Sequence, residues 1–152
     1  MTLAGTVGLV ATVLGGLLAG LFLAFTLAVM PGLAAAPDAV LVETMAQVNR
    51  AILSPAFLVV FLGAPLLAVV AAVVAPSGWT VAGAVLAVAT LVITLAVNVP
   101  LNDALEHAVA VGPLDPAAAR EAFEGRWTTA NLVRALTATA GFACLVVALA
   151  AG

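Results

Sequence analysis

LAGTVGLVATVLGGLLAGLFLAFTLAVM, residues Leu3–Met30, carries no charged side chain and stops at Pro31-Gly32. A helix that crosses a bilayer needs about 20 predominantly apolar residues, and this stretch exceeds that. Three more runs follow: Ala56 to Ala75, opened by Ser54-Pro55 and closed by Pro76-Ser77-Gly78; Trp79 to Val97, before Asn98-Val-Pro100; and about Leu132 to Ala151. The chain as a whole is 66% hydrophobic and 7% charged over 152 residues. A soluble domain is about half apolar and a quarter charged. Eleven charged side chains (four basic, seven acidic) cannot cover the surface of such a globule, which excludes a soluble enzyme and a disordered tail. Four basic residues against seven acidic ones exclude a nucleic-acid partner. The reading is an all-α, single-domain integral membrane protein over residues 1–152, a bundle of four transmembrane helices whose first partner is the lipid bilayer.

Four spans place both termini on one side and the connections 31–55 and 98–131 on the other. Asp38, Glu43 and Arg50 fall in the first connection. Asp103, Glu106, Asp115, Arg120, Glu121, Glu124 and Arg126 fall in the second, and Arg134 stands at the mouth of the fourth helix. All polar chemistry therefore gathers at one face. All four Arg lie there, so the positive-inside rule assigns that face to the cytoplasm of a multi-pass cell-membrane protein. Ala34-Ala35-Ala36 resembles a small-residue cleavage site. The preceding run is much longer than a leader's apolar core and has no Lys or Arg before it, so the first helix is expected to stay.

The connections carry helical patterns of their own. Ala39 to Ile52 has Val40, Leu41, Met45, Val48 and Ile52 near helical spacing, with Asp38 as N-cap, and reads as a short amphipathic helix lying on the interface or over the bundle. Asp115-Pro116 supplies an N-cap and an N1 proline, and the helix they open is expected to run as an extended arm into the fourth span. Pro31 and Pro100 are expected to end the first helix and to break the third, pushing Val99 out of helical geometry.

In the first span small residues recur every fourth position, among them Gly8, Thr12, Gly16 and Gly20, which lets another helix approach closely. Packing inside the bundle is the favoured use and homo-oligomerisation the alternative. The stripe drifts about 40° per step and cannot face one partner throughout. Thr90, Thr94, Asn98 and Asn102 form a polar row on the third span, which lipid cannot satisfy. Either this row walls a polar pocket, or the Thr bond back to their own helix and the Asn cap its end. Trp127, Asn131 and Arg134 share one face of the fourth helix. They form either an interfacial belt with a snorkelling Arg or a polar cluster with Asn98 and Asn102, with Glu106, Asp103 and Glu43 as available counter-ions. His107 follows Asp103 and Glu106; its pKa range suits proton transfer, though an exposed histidine is the plainer reading. A lone His107 and a lone Cys144 leave no metal-ligand spacing, disulfide or thiol relay. No Asp or Glu lies inside a span, which disfavours a proton-coupled exporter.

These residues resemble the anthrone oxygenase-like integral membrane proteins. The carriers are Phe22-Leu-Ala-Phe25 to Met30-Pro31-Gly32, Met45-x-x-x-Asn49-Arg50, Asn98-Val-Pro-Leu-Asn102 and Arg126-Trp127-x-x-x-Asn131-x-x-Arg134, spread over nearly the whole chain. The family often has Trp just before the last Asn, where this chain has Ala130. The resemblance implies a shared site of Asn98, Asn102, Trp127, Asn131 and Arg134, and an oxidation of anthrones to anthraquinones. On that reading the protein is an oxidoreductase acting on a lipophilic aromatic or quinone-like ligand. Arg134 steadies an enolate, the three Asn and Trp127 hold the substrate, and His107 takes the proton. No flavin or metal site is readable, so no cofactor is expected. The alternative is a non-catalytic membrane protein that binds a hydrophobic ligand or supports a larger assembly.

Overall fold

The computed structural model describes residues 2–111 and 115–151, and among these every regular element is a helix. We label them α1 (Leu3–Ala34), α2 (Asp38–Ile52), α3 (Pro55–Val74), α4 (Gly78–Ala110) and α5 (Pro116–Ala151). Four of them, α1, α3, α4 and α5, are long and apolar enough to cross a membrane. Each packs on its chain neighbours and α5 closes the ring against α1, giving an up-down-up-down bundle.

The starts of these helices follow from short polar side chains. Thr2 Oγ1 accepts from Gly5 N at 3.1 Å and Ser54 Oγ from Phe57 N at 3.3 Å. Ser77 and Thr80 form a reciprocal capping box. Asp115 Oδ1 accepts from the backbone N–H of Ala117 and Ala118, with Pro116 as the first helical residue, as its sequence position predicts. Asp38 is a correction. It is already helical, Pro37 occupies the cap position without a side-chain bond, and the Asp38 carboxylate instead meets Arg120 at 2.8 Å.

Neither proline breaks its helix. α1 runs on through Pro31 and α4 through Pro100, and Val99 keeps helical torsions of φ −61°, ψ −51°. The physical reason lies one turn earlier. Phe25–Val29 and Thr94–Asn98 are π-helical turns, each ending two residues before its proline, Pro31 or Pro100. A proline lacks the N–H for its i−4 bond and clashes with that carbonyl; a turn widened by one residue relieves both. Both turns contain the tetrad Thr-Leu-Ala-Val (26–29 and 94–97). Its Thr donates to the carbonyl four residues back, Phe22 O at 3.0 Å and Thr90 O at 2.8 Å.

Lipid is as apolar as the helices, so association inside the slab rests on close packing. The tightest approach is α4 on α5. A Cβ at Gly83 would stand 2.9 Å from the Leu145 side chain and 3.3 Å from Gly141 O. Of the small-residue stripe on α1, Gly8 and Gly16 face Leu149 and Phe142 of α5 and Thr12 is buried, whereas Gly20 meets nothing within 4 Å. The 20 residues of α3 match a slab of about 30 Å, while the 36 of α5 measure about 54 Å. The overhang at the charged end is where α2 packs. Its buried side is Leu41, Val42, Met45, Ala46 and Asn49, against Met30, Leu101, Leu105, Phe123 and Trp127. Val40, expected on the apolar face, is exposed. Arg120 ties this overhang together by donating to Asp38 Oδ1, Glu124, Ala34 O and Ala36 O.

Candidate functional site

The π-helical turn of α1 and the middle of α5 meet through Asn131. Its Nδ2 donates to Phe22 O at 3.1 Å and to Thr26 Oγ1 at 2.8 Å. Both amide protons are thereby spent on α1, which leaves Oδ1 pointing to its own helix, where it accepts from Arg134 Nε at 3.0 Å. Asn131 is fully buried and Arg134 is 8% exposed. The guanidinium carbon lies 4.4 Å from the centroid of the Phe22 ring and 5.1 Å from Trp127, in cation–π range of both. Trp127 is itself fixed. Its Nε1–H donates to Asn102 Oδ1 at 2.8 Å, and Phe25 and Phe123 pack on its ring at 5.7 and 5.9 Å.

Arg134 is thus held by its Nε and its flat face, and is not a snorkelling anchor. Trp127, at 3% exposure, is not a belt residue. The expected counter-ions are absent. Among the described residues the ion pairs belong to Arg120, with Asp38 and Glu124, and no carboxylate pairs with Arg134. Glu43 and Asp103 are exposed on the overhang. Among the described residues the two η nitrogens of Arg134 make no hydrogen bond, so the fork that suits bidentate oxygen binding is unused.

Of the polar row on α4, the Thr do bond back. Thr90 donates to Leu86 O at 2.9 Å and also meets Thr137 Oγ1 of α5 at 2.8 Å, and Thr94 donates to Thr90 O. The Asn do not cap. Asn102 receives Trp127, and Asn98 is fully buried with neither Nδ2 nor Oδ1 partnered among the described residues. The structure does not bring His107 to this cluster. It is exposed on the last turn of α4, nine residues beyond Asn98, or roughly 13 Å along the axis. The base expected from the sequence is therefore remote. No group of three His, Cys, Asp or Glu suited to a metal ion occurs among the described residues.

Three participants were not among the site residues expected from the sequence: Phe22, Thr26 and Asn49. Phe22 and Thr26 lack any polar pattern that would announce them. Asn49 was detectable, because it sits four residues after Met45 on the inward side of α2 and is 5% exposed with Nδ2 unpartnered. A void of about 470 Å³ lies at the opposite end among Thr2, Ser77, Trp79 and Thr80. A small one of about 20 Å³ sits mid-bundle beside Phe61 and Thr90. Neither is lined by Arg134, Asn98 or Asn131.

Fold and cluster together define a four-span helical membrane protein with a buried arginine–asparagine centre at its charged end. The sequence model of the anthrone oxygenase family matches residues 42–144, and the chain belongs to that family. The match takes in Asn49, Asn98, Asn102, Trp127, Asn131 and Arg134. It begins after α1, so the Phe22–Gly32 part of the resemblance lies outside it. No curated protein and no solved structure matches the chain.

Proposed function

We propose that this protein is a membrane oxidoreductase that acts on a lipophilic aromatic or quinone-like substrate bound at Arg134. The carrying observation is a buried guanidinium stacked on two aromatic rings that, among the described residues, meets no carboxylate and leaves its outer nitrogens unused. A buried cation favours an occupant that supplies the missing negative charge. The flat rings beside it favour a planar one. The enolate of an anthrone has both properties, and family membership supports that choice. Arg134 lowers the energy of the enolate, Asn131 fixes the guanidinium, and Asn98 and Asn102 lie toward the substrate's oxygens. The methylene proton passes to water as the enolate forms, and overall the anthrone methylene loses two hydrogens and gains one oxygen atom. Dioxygen supplies that atom, and its second oxygen leaves as water. On this reading the charged end, which holds all four Arg, faces the cytoplasm.

A second reading is a ligand-binding protein without catalysis. It is favoured by the composition of the cluster, since neither Asn nor Arg accepts a proton at neutral pH. The test is oxidation of emodin anthrone by the purified chain in proteoliposomes. Turnover above empty liposomes that is lost in Arg134→Lys supports the first reading. Binding of the anthrone with no turnover supports the second.

A further inference from the structure

Two helices at the charged end bury amide groups that no described residue satisfies. Asn98 of α4 is 0% exposed and both its Nδ2 and Oδ1 lack partners; Asn49 of α2 is 5% exposed and its Nδ2 lacks one. Buried polar side chains without a partner are rare and point to an occupant that completes them. The two helices pack on each other, with Met45 and Leu101 in one apolar cluster. α2 leads from the outer end of α1 back to the start of α3, so it runs opposite to the outer half of α4. Asn49 lies one turn past Met45 toward the membrane, and Asn98 lies about one turn before Leu101 in the same direction. Both amides therefore lie on the membrane side of that cluster.

The unmet groups are two amide NH2 donors and one carbonyl acceptor. A carbonyl oxygen satisfies the donors only, and an ammonium satisfies the acceptor only. An O–H group does both. We propose that Asn49 and Asn98 form a receptor for one hydroxyl-type oxygen, either a buried water or a hydroxyl of the bound substrate. The substrate source rests on the functional reading above; the water source does not. Where a substrate hydroxyl fills the receptor, the pair sets specificity, because an analogue lacking that hydroxyl leaves the amides buried and unpaired.

The experiment uses the full chain in detergent without oxygen, and two probes that differ by one hydroxyl, emodin anthrone and chrysophanol anthrone. A substrate hydroxyl predicts that wild type binds emodin anthrone at least about tenfold more tightly. Asn98→Leu and Asn49→Leu should shrink that ratio to within about twofold while still binding chrysophanol anthrone. A water predicts equal affinities and, in an experimental structure that resolves waters, one oxygen within hydrogen-bond reach of both side chains. Equal affinities with no oxygen there, or with the two amides bonded directly to each other, overturn the receptor. If neither probe binds wild type, the oxidoreductase reading fails, and the density between Asn49 and Asn98 still decides the receptor.

Discussion

Asn131 Oδ1 accepts from Arg134 Nε at 3.0 Å while both Asn131 amide protons are held by α1, at Phe22 O and Thr26 Oγ1. One neutral side chain therefore couples the widened turn of α1 to the charge on α5. Removing it leaves a buried charge with one bond fewer and a carbonyl of α1 relieved of a donor. Asn131→Ala should cost ~1.5–3 kcal/mol, because the bond lost involves a charged group. Thr26→Val, which deletes only a neutral hydroxyl, should cost about 1 kcal/mol. Thermal melting of the two variants in detergent checks the order.

Arg134 itself gives the opposite pattern. Had it paired with Glu106 or Asp103, Arg134→Leu would strand a carboxylate and unfold much of the protein. With no carboxylate opposite, Leu trades an uncompensated buried charge for apolar packing on Phe22 and Trp127. The variant strands Asn131 Oδ1 but removes the buried charge, so it should lose ~1–3 kcal/mol, short of the ~3–5 kcal/mol expected when a buried ion pair is broken. Arg134→Lys should also fold, yet bind an anthrone at least about tenfold more weakly, since an ammonium has neither the planar face nor the fork. Melting and ligand titration on the same samples separate these outcomes.

Gly83 and Gly20 test where the bundle is tight. A methyl at Gly83 meets Leu145 at 2.9 Å and the Gly141 carbonyl behind it, so Gly83→Ala should destabilise by ~1–3 kcal/mol. Gly20→Ala points into open space and should be neutral or slightly stabilising, since alanine is the better helix former. Equal melting temperatures for the two would contradict the α4–α5 contact.

Arg120 ties the end of α1, the start of α2 and the arm of α5. Arg120→Ala should leave the spans intact and expose the Ala34–Asp38 junction. Limited digestion with a protease of broad specificity should cut there sooner than in wild type, and mass spectrometry of the fragments locates the cut.

The four apolar runs and their Ser, Thr and Asp caps made the spans legible in the sequence, because a bilayer demands long uncharged helices. The prolines misled for a local reason. Pro31 and Pro100 look like terminators, and nothing in a linear pattern shows that a turn can widen to let the helix continue. Asp38 reads as a cap until Arg120, distant in sequence, claims its carboxylate. The residue types allowed the Asn98–Asn102 and Trp127–Arg134 segments to meet, and Trp127 does bond to Asn102. The internal wiring of the site was not legible, because Phe22 and Thr26 come from a span that looks wholly structural. That no carboxylate among the described residues meets Arg134 emerges only in three dimensions, with Glu43 and Asp103 exposed.

The central claim is that Arg134 stabilises an anionic oxygen of a planar substrate, and the acidity of a bound anthrone reports it directly. The coloured enolate is titrated spectroscopically, without oxygen, in wild type, Arg134→Leu and empty detergent micelles. A cation within about 4–6 Å lowers an acid's pKa by about 1–3 units. The wild-type midpoint should therefore fall below that of empty micelles by at least about one unit. The Arg134→Leu midpoint should return to the micelle value. One midpoint shared by all three samples would contradict the claim.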